Sequence, residues 1–309
     1  MKTYASTVLI TGGTGLIGRS LVRYLNERAY RVHVLTRQPG PYHFDAHLKY
    51  FFWDWEKDKI DPKALENVEI IIHLSGANIA EHRWTDNYRR LMYRSRIDSL
   101  KFLKKKLIDA KIKPQHFIGA SAIGYYGCRT DDLMRYENHP PGNDFLARLT
   151  VDWEKTSRSM NEITPVVSVL RFGVVLSPEG GSFPKLYHAV RKFAGAPLGT
   201  GRQWFDWIHI DDLINLIFFV IEQKLEGTFN AVAPQPVRNA EFMKIFNTIA
   251  GKFSLLPRIP AILLNTLYGE MACLLLEGVP VSAKKITDAG FNFRYHHPAK
   301  AIRNLIQKF

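Results

Sequence analysis

Val8-Leu9-Ile10 runs straight into Thr11-Gly12-Gly13-Thr14-Gly15-Leu16-Ile17-Gly18, an apolar strand that passes through glycines directly into a helix. Where a strand turns so sharply into a helix whose first N–H groups face a pyrophosphate, side chains would block the phosphate. Gly12 then makes the tight turn, Gly15 lets the pyrophosphate approach the backbone, and Gly18 lets the helix pack closely. Gly13, Thr14, Leu16 and Ile17 complete the candidate cofactor loop. Leu16, Ile17, Leu21, Val22 and Leu25 fall on one helical face. The rival glycine pattern of phosphate-loop nucleotidases is nearly met by Gly13, Gly18, Arg19 and Ser20, but Arg19 stands where the compact ammonium of a lysine is required.

The next strand, Arg31-Val32-His33-Val34-Leu35-Thr36-Arg37, ends where an acidic residue would hold the adenosine ribose, and no acid is there. A carboxylate would accept from both ribose hydroxyls and repel a 2′-phosphate, whereas Thr36 and Arg37 can donate to that phosphate and neutralise it. NADP(H) is therefore expected in preference to NAD(H). Asp54, at the end of the following strand, either accepts from the adenine amino group or serves a turn.

A chain of 309 residues with 46% apolar content exceeds one minimal dinucleotide module, so a second lobe is expected. Cys128 and Cys273 are too few for a disulfide framework and have no metal-ligand spacing, which reads as a reducing compartment. Residues 1–6 enter the first strand without an apolar signal core, and the expected location is the cytoplasm. The apolar run 260–281 contains Asn265, Glu270 and Glu277 and reads as a buried helix pair, not a membrane span. Net charge is +13, and residues 89–113 hold ten Lys/Arg against two Asp. That run has helical spacing and lacks aromatic interleaving, so it reads as a solvated helix face; neither nucleic acid nor a membrane is the expected partner.

Strands at 8–10, 31–36, 50–53, 68–74 and 116–120 alternate with helices at 16–28 and 86–110, the pattern of an α/β, doubly wound parallel sheet. A strand at 166–170, a helix at 211–223 and a strand at 227–232 extend it. Ligands in such sheets lie beyond the strands' carboxyl ends. There Leu74-Ser75-Gly76-Ala77 is small enough for a nucleotide to lie against the backbone, and Ser121-Ala122-Ile123-Gly124-Tyr125-Tyr126-Gly127 follows the fifth strand.

The order of these signatures resembles the extended short-chain dehydrogenases, the family of nucleotide-sugar epimerases and dehydratases. The resemblance rests on the glycine turn, Leu74-Ser75-Gly76-Ala77, Ser121 with Tyr126-Gly127, Arg171, and Trp207-Ile208-His209-Ile210-Asp211-Asp212. Within it the chain is most similar to an atypical branch of epimerase-family proteins, through Gly76-Ala77-Asn78-Ile79-Ala80, Arg83-Trp84, Pro140-Pro141-Gly142, Gly199-Thr200-Gly201-Arg202-Gln203-Trp204, Asn230-Ala231-Val232-Ala233-Pro234 and Leu276-Glu277-Gly278. It implies a Rossmann-like NADP(H)-binding domain over residues 1–170 and about 205–233, with a smaller C-terminal lobe from about 171–204 and 234–309. Arg171 is carried over as a cofactor contact.

The family's chemistry uses a tyrosine followed four residues later by a lysine. Here Phe145 or Leu146 stands at the tyrosine place and Leu149 or Thr150 at the lysine place, and neither register supplies a proton donor. The candidate catalytic residues are Ser121, for which Ala122 is the alternative register, and Tyr125 as a reserve acid; Tyr126 is expected to pack in the turn. His209, Asp211 and Asp212 lack a third convergent metal ligand, and Asp211 or Asp212 reads as a helix N-cap. Gly199, Gly201, Gln203 and Trp204 fit a loop closing on a ligand or a glycine-rich surface turn. Two functions follow: an NADP(H)-dependent oxidoreductase or epimerase acting on a small polar molecule, or an NADP(H)-binding protein without turnover.

Overall fold

The computed structural model describes residues 6–38 and 47–309; residues 1–5, part of the N-terminal entry read above, lie outside them. The strands are β1 (Thr7–Thr11), β2 (Arg31–Thr36), β3 (Leu48–Asp54), β4 (Lys59–Ile60), β5 (Val68–His73), β6 (His116–Ala122), β7 (Val166–Phe172), β8 (Val174–Ser177), β9 (Gly180–Gly181), β10 (Trp207–His209) and β11 (Gly227–Ala231). The helices are α1 (Leu16–Glu27), α2 (Asp86–Arg94), α3 (Ile97–Asp109), α4 (Phe145–Arg158), α5 (Ser182–Arg191), α6 (Ile210–Glu222), α7 (Asn239–Ile249), α8 (Ala261–Tyr268), α9 (Cys273–Leu276), α10 (Lys284–Asp288) and α11 (Pro298–Ile306).

Eight strands form one sheet in the order β11-β7-β6-β5-β1-β2-β3-β4, parallel except for the short β4 against β3. Alternation along β1 sends Val8 and Ile10 into the layer under α1 and α6, and Leu9 into the opposite layer with Leu100, Leu103 and Phe117. Both faces are covered, as an apolar parallel sheet requires. The strand order reverses between β1 and β5, which opens a crevice at their carboxyl ends. Thr11 and His73 lie opposite each other there and are joined side chain to side chain at 2.9 Å.

Four local expectations give way to tertiary contacts. The helix read over 86–110 breaks at Ser95 and Arg96, because Ser95 Oγ accepts from the Ala77 N–H at 2.9 Å and Arg96 Nη2 donates to the Ala77 carbonyl at 2.9 Å. The run 260–281 is helical over 261–276 but not a buried pair: Ile262 is 79% and Leu267 54% exposed, and Leu264 alone is buried within α8. The cap of α6 is His209, whose Nδ1 accepts from the Asp211 N–H at 3.0 Å, while Asp212 turns inward to accept from the N–H groups of Arg294 and Tyr295. No metal-holding group of acids, histidines and cysteines occurs among the described residues. Cys128 and Cys273 are joined in a disulfide.

A second sheet, β10-β8-β9, carries the smaller lobe, whose core gathers Leu176, Phe183, Phe242, Phe246 and Ile302. The tail does not stay in that lobe: Val279, Val281, Ile286, Phe291 and Phe293 return to the layer of α1 and α6. Among the described residues no helix is long and apolar enough to cross a membrane.

Asp206 ties the two parts together, its Oδ1 accepting from the Val281 N–H at 3.0 Å. Burial pushes its carboxyl up to about 8, against the lowering effect of that amide. Between the ordinary aspartate value and about 8 the folded chain keeps a proton that the unfolded chain has lost, so this group's contribution falls as pH rises through that window. Asp206→Asn is expected to gain stability relative to the parent across it, with a limiting slope of about 1.4 kcal/mol per pH unit. Urea unfolding at pH 5 to 9 checks this, and a constant difference between the two proteins contradicts it.

Candidate functional site

The glycine turn is built by close backbone contact. Gly12 has φ +70°, and a Cβ on it would lie 2.8 Å from the carbonyl of Leu74. A Cβ on Gly18 would lie 2.2 Å from the Gly12 oxygen, so α1 rests directly on the turn. Gly13 is pressed against Val34. Gly15 differs: it is exposed and is the N-cap of α1, with no side-chain cap and no acid in the first turn. Among the described residues no side chain accepts from the first N–H groups of α1, which is the arrangement an anion completes. Arg19 holds the Thr14 carbonyl at 3.1 Å, and Ile17 packs on the core below. Leu16 meets Gly180 and Gly181 of the β8–β9 hairpin, a contact sequence reading missed although the paired glycines marked it.

At the end of β2, Thr36 is buried with its Oγ1 accepting from the Gln38 N–H at 3.3 Å; Arg37 is exposed and forms no ion pair among the described residues. Asp54 takes the turn role: Oδ1 accepts from the Glu56 N–H at 3.1 Å, and Oδ2 lies 3.5 Å from Lys57.

Across the crevice, Leu74, Ser75, Gly76 and Ala77 leave β5. The Leu74 N–H donates to the Thr11 carbonyl at 3.1 Å, and the Ser75 N–H to Thr11 Oγ1 at 3.3 Å. Under this loop lies Arg96, 7% exposed, with Cζ 2.9 Å from where a Cβ on Gly76 would stand. It donates to the carbonyls of Met92 and Ala77, and no carboxylate pairs with it among the described residues. Burial lowers its pKa to about 10, which leaves it charged at neutral pH. A buried cation without a counter-ion is unfavourable, and an anion at this edge would relieve it. Sequence reading missed Arg96 because it sits in the basic run taken as a solvated face; the need for glycine at 76 was the available signal.

Beyond β6 the side chains form a buried network. Ser121, 1% exposed, donates to Glu154 Oε1 at 2.8 Å. Glu154 also holds Arg171 through both oxygens, at 2.7 and 3.0 Å, and Arg158 at 2.6 Å. Arg171, expected at the cofactor, thus braces the sheet edge from within, donating also to the Tyr126 hydroxyl at 2.9 Å. Burial pushes the Tyr126 phenol up to about 12 against Arg171, and this hydroxyl lies 2.8 Å from Asn230 Oδ1, a packing role. Ala122, next to Ser121, is partly exposed and has no hydroxyl. Tyr125 is partly buried, its ring face 3.4 Å from the Arg171 Cζ, and its hydroxyl has no hydrogen-bond partner among the described residues. On α4, Leu146 and Leu149 are buried, and the Thr150 hydroxyl donates to its own helix at the Leu146 carbonyl, 2.7 Å away.

A cleft of about 830 Å³ opens between the start of α4 and the C-terminal helices, with Trp84, Phe145, Arg148, Thr200 and Asn265 among its walls. The loop 199–204 lies along it: Gly199 and Thr200 face the cleft, Gly201 packs on Ala240, Gln203 is buried and donates to the Leu275 carbonyl at 2.7 Å, and Trp204 Nε1 donates to Asp132 at 3.0 Å. If Arg96 is the counter-charge to a bound pyrophosphate, Arg96→Met leaves the ligand-free chain as stable as the parent or more so, and weakens NADPH at least tenfold (about 1.4 kcal/mol). Thermal melts and a fluorescence titration measure both, and unchanged affinity contradicts the assignment.

Known proteins share this arrangement. The model of the NAD-dependent epimerase/dehydratase family matches residues 8–231, and that of a domain of unknown function matches residues 259–305. An epimerase family protein SDR39U1 homologue, chloroplastic, of Arabidopsis thaliana is 33% identical over 99% of this chain and 88% of its own. An epimerase family protein of Mycobacterium bovis is 34% identical over 94% of each chain. The crystal structure of human epimerase family protein SDR39U1 (isoform 2) with NADPH superposes with a TM-score of 0.87 at 27% identity, covering 98% of this chain and all of that one. A UDP-glucuronic acid 4-epimerase of Bacillus cereus, at 16% identity and a TM-score of 0.79 over 98% of this chain and 99% of that one, shares the fold. By sequence and by fold, the chain belongs to the NAD-dependent epimerase/dehydratase family.

Proposed function

We propose that the protein binds NADP(H) and acts as an oxidoreductase or epimerase on a small polar molecule held in the cleft beside α4. The observation that carries the reading is the uncapped start of α1 at Gly15 facing a second strand that ends in Thr36 and Arg37 without an acid. The first N–H groups of α1 would hold the pyrophosphate, and Arg37 with Thr36 the 2′-phosphate. The NADPH in the human relative's structure supports the same choice. When bound, the cofactor supplies hydride chemistry.

The chain's own part is proton supply and positioning. Tyr125, three residues before the cleft-lining Cys128, has a hydroxyl left to donate to a substrate that reaches from the cleft to the β6 edge. Ser121 is turned toward Glu154 and positions the network instead. Arg171 fixes the Tyr125 ring from below, so the hydroxyl's direction is set by the Glu154–Arg171 pair. A second reading, cofactor binding without turnover, is favoured by α4, where Leu146 and Thr150 leave no group to pass a proton.

One experiment separates them. Tryptophan fluorescence is followed as NADPH and then NADH are added, and oxidation of NADPH is followed against a panel of small carbonyl compounds. The expected result is NADPH bound at least tenfold more tightly than NADH, with turnover that Tyr125→Phe abolishes while binding is kept. Equal affinities contradict the cofactor choice, and unchanged turnover in Tyr125→Phe removes Tyr125 from the chemistry. Tight binding with no oxidation across the panel favours the second reading.

A further inference from the structure

We propose that Cys128 and Cys273 form a reversible redox latch on the helical flap of residues 261–276 that closes the cleft beside α4. Cys128 lies two residues beyond Tyr126, on the turn that leaves the β6 edge, and Cys273 opens α9 on the far wall. Both line the cleft, both are partly exposed, and their Cα atoms are 5.7 Å apart, a separation a disulfide spans without backbone movement. A small thiol can therefore reach the bond from the cleft.

The flap is anchored at its two ends, at Ile259 by backbone hydrogen bonds with Pro197 and Gly199 and at Glu277–Gly278 by Thr130 and Trp204, and between them the disulfide is its covalent tie. Its outer face exposes Ile262, Leu263, Leu267 and Tyr268, while Leu264, Met271 and Ala272 are its buried side chains. Its polar ties are Arg83 to the carbonyls of Thr266 and Leu267, an ion pair between Arg89 and a largely exposed Glu270, and Gln203 to the Leu275 carbonyl. The ion pair to the largely exposed Glu270 contributes little to holding the element in place. Opening the disulfide leaves the flap held at those two ends and removes the covalent tie near its C-terminal end. The glycine turn and the β1–β5 crevice lie outside this bond and keep their contacts in either state.

The chemistry balances with glutathione disulfide as the oxidant. The thiolate of Cys273, its proton lost to solvent, attacks one sulfur of glutathione disulfide and releases a glutathione thiolate. The thiolate of Cys128 attacks the Cys273 sulfur of the mixed disulfide and releases the second. Two electrons pass from the protein sulfurs to glutathione, and the two protons given up by the cysteines end on the two glutathione thiols. A dithiol such as dithiothreitol reverses the sequence.

The test uses the full chain equilibrated with oxidised glutathione or with dithiothreitol. Iodoacetamide in denaturant, read by mass spectrometry, counts free thiols, and hydrogen exchange reads the flap. The expected result is no adduct on the oxidised chain and two on the reduced one. Amides of residues 261–276 should exchange at least tenfold faster after reduction, while those of β1 and α1 are unchanged. A Cys128→Ser/Cys273→Ser chain should exchange as the reduced chain does in both buffers. Two adducts after oxidation, or equal flap exchange in the two states, overturns the latch. Neither readout uses a cofactor, so the outcome is independent of how the glycine turn is read.

Discussion

Backbone lying on backbone at Gly12 and Gly18 is the constraint from which the site follows. With no Cβ at either position, α1 starts against the turn, and the turn sits against the carbonyl of Leu74 across the strand reversal. Any side chain at Gly18 would meet the Gly12 oxygen and lift the helix from the crevice. Thr11 and His73 then join β1 to β5 at the same level, and the two loops that border the crevice become one rigid edge.

Charge is handled differently on the two sides of that edge. Near β6 and β7, Glu154 has Ser121, Arg158 and Arg171 around it, so its buried carboxylate is fully matched and the tyrosine pair is fixed above it. Under Ser75 to Ala77, Arg96 meets the carbonyl oxygens of Met92 and Ala77 and the ring face of Trp153 at 5.0 Å, and no carboxylate among the described residues. Removing one partner of the first group would strand a buried charge, whereas the second already has no counter-ion among the described residues. The protein thus carries an internal brace at the ends of β6 and β7 and, at the end of β5, a cation with no carboxylate partner among the described residues. On α4, Leu146 and Leu149 are buried and pack, and the Arg171 guanidinium lies against the Tyr125 ring.

Short-range patterns carried most of the fold. The period-two apolar strands, the glycine spacing and the acid-free end of β2 are local, and each was legible because one residue's chemistry set it. What was not legible depended on distant partners. Ser95 and Arg96 suit a helix, and only Ala77, far away in sequence, bends the chain there. The apolar run around α8 gave no sign that it would face outward, because burial depends on which surface is left to cover. His209 as a cap, Asp212 as an anchor for Arg294 and Tyr295, and the Cys128–Cys273 pairing likewise need the tail to be placed first.

The open start of α1 is the proposed anion site for the dinucleotide. Gly15 tests it directly, since its φ of −76° accepts a side chain and a Cβ there would meet only the Gly12 oxygen, at 3.2 Å. Titration of Gly15→Leu with NADPH, alongside a thermal melt of the ligand-free protein, is the decisive measurement. The expected result is a melt close to the parent's and affinity lowered at least a hundredfold (about 2.7 kcal/mol). Parental affinity in a folded Gly15→Leu protein would contradict it.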